Sequence, residues 1–291
     1  MGVGSMGLPT TVVAGLGLAI IAMVLSGAMQ TNWRDLAEAF RSPAWLARAL
    51  VAVNIVVPLA ALVACLLLPI APSVAAAILI MAISPLAPPI SMKLMKSGAD
   101  ASRIEAHFVL LTLLSVILVP LSLSGLSPLL GLELQIGFAA VLQAAIMLVL
   151  VPVAIGATFG SFAPALAAKA VQALAKLAYV LLLVLVPLVL VIQGRPMLQL
   201  LGDGSLLAMC VVSVAALAGG HLLGRNPRER ELFATAAVVR NPGIALMAVT
   251  ANALPAPAVT AVFLFLLVNL VASALYNIWT RRTGQAAAVA A

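Results

Sequence analysis

Arg240 falls near the middle of a long apolar run, too far from either end for its side chain to snorkel easily to a polar surface. A charge at that depth in a membrane helix costs about 2.5 to 3.5 kcal/mol on insertion scales, so it normally faces a cavity or a partner. No carboxylate is placed to pair it. The acidic residues are Asp35, Glu38, Asp100, Glu105, Glu133, Asp203, Glu229 and Glu231, all in connections or near the ends of runs. Two kinds of partner remain. One is the carbonyl end of an interrupted helix, near Ser84 or Val239, where unpaired C=O groups and the negative dipole end favour a cation. The other is an anion, held by the guanidinium and by helix N-termini near Ile90 and Gly243. The two are compatible, since a guanidinium has five donors.

The polar residues that could share this depth are few: Asn54, Ser84, Ser91, Thr112, Ser115, Gln143, Asn241 and Asn269. Serine and threonine in helices commonly bond back to their own backbone. The amides are as ready to bond helix to helix as to contact a ligand. His107 and His221 stand apart from each other and lack neighbouring Cys or acid at ligand spacing, so neither a metal centre nor a catalytic triad is expected. The absence of a phosphate-cradling glycine loop argues against a nucleotide-driven pump. Cys65 and Cys210 lie in apolar runs, where a thiol packs as a small hydrophobe. No enzyme chemistry is expected, and no cofactor.

The elements that hold these residues follow from composition. Of 291 residues 65% are hydrophobic and 8% charged, against about 25% charged in an ordinary soluble domain. A bilayer core about 30 Å thick needs roughly 20 apolar residues per helical crossing. Nine such runs predict nine transmembrane helices, at approximately 8–28, 46–68, 73–96, 103–126, 135–160, 171–193, 204–223, 230–252 and 258–279, in one membrane domain spanning 1–291. The first run has no Lys or Arg before it, unlike a signal peptide, and is read as a retained helix.

The net charge of +7 is sorted rather than spread. Arg34, Arg41, Arg48, Lys93, Lys96, Arg103, Lys169, Lys176, Arg225, Arg228, Arg230, Arg281 and Arg282 fall on one side of the nine-helix layout, while Arg195 alone lies on the other. The positive-inside rule then puts the N-terminus outside and the C-terminus in the cytoplasm of a cell membrane, plasma or inner. The partner implied is a lipid bilayer, not a nucleic acid.

Two of the runs contain breakers at mid-length. The third holds Ser84-Pro85-Leu86-Ala87-Pro88-Pro89, whose three prolines remove donors and clash with the preceding turn. The eighth holds Arg240-Asn241-Pro242-Gly243. Runs one to four and six to nine match as two sets of opposite topology, each with its broken helix third. Interrupted helices at corresponding places of an inverted repeat are a pointer to a carrier's substrate site at the bilayer midplane. Single prolines such as Pro58, Pro120, Pro152 and Pro187 read as packed kinks.

With these residues in place, the chain resembles the bile acid:sodium symporter family and the wider superfamily of arsenite and auxin carriers. The resemblance runs from Leu16 to about Ile278 and rests on LGLAIIAMVLSGAMQ, Ser84-Pro85, the turn Lys96 to Asp100, and Thr112. The family's late glutamate followed by Gln-Asn-Ser-Gly corresponds to Ala236 followed by Arg240-Asn241-Pro242-Gly243. The nine-helix count is similar to members that lack the first of ten helices. The resemblance implies two sodium ions near the crossing of the broken helices, held by that glutamate, the glutamine and a Ser-Asn pair. Here those positions read Ala236, Arg240 and Ile90-Ser91, so sodium coupling is not expected. The leading expectation is an alternating-access carrier of small organic anions, its substrate contacts drawn from Arg240, Asn241, Gly243, Ser84, Ser91, Thr112, Asn54 and Asn269. A carrier of neutral or amphipathic solutes with a structural Arg240, and a non-transporting membrane sensor or scaffold, are the alternatives.

Overall fold

Among the described residues five helices open on a proline: Pro43, Pro72, Pro164, Pro227 and Pro242. A first-turn N–H has no intrahelical acceptor, so proline loses nothing there, and its fixed φ suits the helix. A computed structural model of the chain describes residues 9–31, 33–84, 101–126, 142–143 and 146–290, and among these the only regular structure is helical. The helices are α1 (Thr10–Ala28), α2 (Trp33–Phe40), α3 (Pro43–Leu67), α4 (Pro72–Ile83), α5 (Ala101–Leu126), α6 (Val151–Phe162), α7 (Pro164–Gln199), α8 (Ser205–Leu223), α9 (Pro227–Val238), α10 (Pro242–Ala251) and α11 (Ala256–Ala290). Among the described residues, five are long and apolar enough to cross a membrane: α1, α3, α7, α8 and α11.

The bounds differ from the hydropathy reading where charge and helix part company. The connection Thr31 to Trp45 carries α2, an amphipathic helix that buries Leu36 and Ala39 and leaves Arg34 exposed. The expected helix 171–193 runs from Pro164 to Gln199, because Lys169 and Arg195 end an apolar window without ending a helix. The last helix likewise continues past 279. The run at 230–252 is two helices, α9 and α10, separated by Val239, Arg240 and Asn241. The prolines Pro85, Pro88 and Pro89 and residues 135–141 of the fifth run lie outside the described residues.

Among the described residues two stretches widen into π-helix, Val51–Val56 inside α3 and Ile146–Leu150 before α6. Each ends just before a Val-Pro pair, Val57-Pro58 and Val151-Pro152. Bonding from i to i+5 stops where the next donor position is a proline without an N–H.

The helices pack in two groups. α1 lies mainly against α6 and α7. In the other group α4 is central, with Val74 through Ile83 all buried, and α3, α8, α10 and α11 surround it. α8 and α9 approach most closely at Gly220, where a Cβ would run into the backbone of Phe233 and Ala234. α5 touches both groups. Large apolar side chains such as Leu67, Phe162, Val191 and Leu222 point outward, as a surface facing lipid requires.

Candidate functional site around Arg240

The junction of α9 and α10 presents Arg240 at the centre of the α3, α4 and α9 group. Its side chain is 1% exposed, the largest among the fully buried side chains. Nη2 donates to the Val53 carbonyl at 2.7 Å and Nη1 to the Ser84 carbonyl at 3.3 Å. Both acceptors are available for local reasons. Ser84 caps the C-terminus of α4 with ψ 143°, and its carbonyl has left the helical ladder. Val53 lies in the π stretch of α3, where its i+5 donor would be residue 58, a proline. The guanidinium supplies the two donors that the backbone withholds. Nε has no hydrogen-bond partner among the described residues, and no carboxylate there lies within ion-pair distance of Arg240.

Asn241 follows as the N-cap of α10. Its Oδ1 accepts the Gly243 N–H at 3.0 Å, while its buried Nδ2 is unbonded among the described residues. Pro242 fills the first turn. Gly243 lies against α1, and a Cβ there would meet the tip of Ile20.

The remaining candidates divide. Ser84 is fully buried, but its hydroxyl donates back to Ile80 at 2.8 Å, so its contribution to the site is a carbonyl. Asn269 is buried at the middle of α11 and accepts the Ser213 hydroxyl of α8 at 2.7 Å, with its Nδ2 unbonded among the described residues. Thr112 is buried at the middle of α5, and Asn54 is half-buried in the π stretch beside Val53. Ser91 falls outside the described residues. Val53, Pro58 and Ser213 were not among the sequence candidates. Pro58 did carry a signal, a proline five residues after the carbonyl it leaves vacant; Ser213 carried none beyond being a hydroxyl at mid-run.

The arrangement can do two things. It holds a permanent positive charge in the apolar centre of the helix group, and the neighbouring Arg240 and Asn241 both keep a buried N–H without a partner among the described residues, as Asn269 does on α11. Donors without acceptors suit an anion or a carbonyl-rich solute rather than a cation.

The profile of the Sodium Bile acid symporter family matches residues 17–200. No curated protein matches the chain.

Proposed function

The chain belongs to the sodium bile acid symporter family, and from that premise we propose that it is a secondary carrier of small organic anions, working by alternating access without bound sodium. Membership makes it a multi-pass membrane protein of a transporter family, and the five long apolar helices accord with that. In this reading nine helices cross the bilayer as an inverted repeat, the third and eighth are broken and meet at mid-membrane, and the basic loops face the cytoplasm. The end of α4 at Ile83, the restart of α10 at Pro242 and the Arg240 bond to Ser84 support the meeting.

Sodium is the ion the family resemblance implies, and the residues present do not fit it. Ala236 is buried in α9 and offers only a methyl group. Arg240 takes the carbonyls of Val53 and Ser84, whose lone pairs a hard cation would need, and its charge would repel one. An arginine stays protonated at any physiological pH, so it can stand permanently where an ion would come and go.

The observation that carries the anion reading is the fully buried Arg240, bonded to two neutral carbonyls and balanced by no acid among the described residues. The test is a thermal-shift screen of organic anions on purified wild type and Arg240→Gln. A ligand at a hundred times its Kd stabilises the folded state by about 2.7 kcal/mol. Some anions should raise the wild-type melting temperature and leave Arg240→Gln unmoved; anions that shift both equally would remove Arg240 from the site. The two carbonyl bonds favour a second reading, in which Arg240 is purely structural and the solute neutral. Neutral ligands stabilising both proteins would select it.

A further inference from the structure

The seam between the two helix groups is crossed by a buried polar bond in which Arg240 takes no part. Thr260 Oγ1 of α11 donates to Gln193 Oε1 of α7 at 2.8 Å, and the two residues are 3% and 4% exposed. Thr260 stands near the start of α11 and Gln193 near the end of α7. Those are the ends opposite Lys169 and Lys176 on α7 and Arg281 and Arg282 on α11. One turn beyond Gln193, Met197 is buried in the same seam and packs into the core. The membrane face away from the basic loops is therefore shut here by a polar clasp within an apolar contact.

We propose that Gln193 and Thr260 form a latch that holds this face closed and parts when the α1, α6 and α7 group moves against the rest. The inference rests on the alternating-access reading above. The bond joins two helices from different groups, so relative motion must break it. Both side chains are neutral, so separating them exposes no lone charge. Thr260 has a second acceptor ready, the Ala256 carbonyl at 3.3 Å on its own helix, to which the hydroxyl turns when Gln193 leaves. Gln193 lies less than two turns from the C-terminal end of α7, so in an open seam water there can replace the hydroxyl it loses. The latch is thus weak enough to open and specific enough to favour the closed seam.

The test reads opening without any substrate. In full-length protein with Cys65 and Cys210 replaced by alanine, Met197→Cys reports the seam through its rate of labelling by a polar maleimide in lipid nanodiscs. Thr260→Val keeps the side-chain shape and removes the donor, and Gln193→Leu removes the acceptor. Each should speed labelling about threefold, the factor expected for an interhelical hydrogen bond in a membrane protein. The pair Gln193→Cys with Thr260→Cys, oxidised to a disulfide, should stop labelling until reduced. Unchanged labelling in both single variants, or free labelling through the oxidised disulfide, would overturn the latch. Anion binding measured on the same samples is a separate readout, so a wild type that binds no anion would sink the proposed function and leave the labelling result to decide the latch.

Discussion

At the scale of single residues, Arg240 is tied to the fold by its two carbonyl bonds, whatever ligand the proposed function gives it. Arg240→Met keeps the length and removes every donor, leaving the Val53 and Ser84 carbonyls buried without partners. The expected loss is about 2 to 3 kcal/mol, read as a lower apparent melting temperature in detergent. Near the basic end of the bundle, Arg48 and Glu229 pair at 2.8 Å, and Arg48 Nη1 also donates to the Leu223 carbonyl. Burial pushes the Glu229 carboxyl up, but the hydrogen bonds from Arg48 and the Arg225 N–H and the charges of both arginines bring it below its ordinary value. A carboxyl with a depressed folded-state pKa stabilises the fold above its unfolded pKa, and that stability disappears as pH falls through the folded value. Melting temperature should therefore drop on acidification below the carboxylate range, and Glu229→Gln should flatten that part of the profile.

At the scale of elements, the close contact of α8 and α9 depends on Gly220, and Gly220→Ala forces methyl against backbone rather than against a side chain that can swing away. The expected destabilisation is about 1 to 3 kcal/mol, again by thermal unfolding. That contact holds α9, and with it Arg240, so the same variant should weaken any ligand that needs the guanidinium. How far such elements could be read in the sequence varied with their cause. Long apolar runs announced α1, α3, α7, α8 and α11, because a bilayer demands uniform hydrophobicity over a fixed length. Pro242 and Gly243 announced the junction after Arg240, because few residues punctuate a helix so strongly. The amphipathic α2 was hidden, since a helix at an interface needs only one apolar face. The π stretch at Val51–Val56 was hidden too, because its register depends on packing around Pro58 and not on composition. The Ser213 bond to Asn269 joins residues far apart in the chain, and nothing local marks it.

For the whole molecule, the charge asymmetry and the helix groups make a connected claim about orientation and motion. A reporter fused after Arg282 should be cytoplasmic; an active alkaline phosphatase there would contradict the nine-helix layout. The deeper claim is that one fixed charge replaces an ion, so that the carrier works as a uniporter or exchanger. Arg240→Gln restores a neutral amide, but Ala236 still lacks a carboxylate, so that variant should lose anion binding without gaining sodium dependence. The most direct measurement is anion affinity of the purified wild type across a sodium titration, with potassium making up a fixed ionic strength. Affinity that stays level from all potassium to all sodium is the predicted result. A saturable rise with sodium, absent with potassium, would show that a cation binds beside Arg240 and contradict the account.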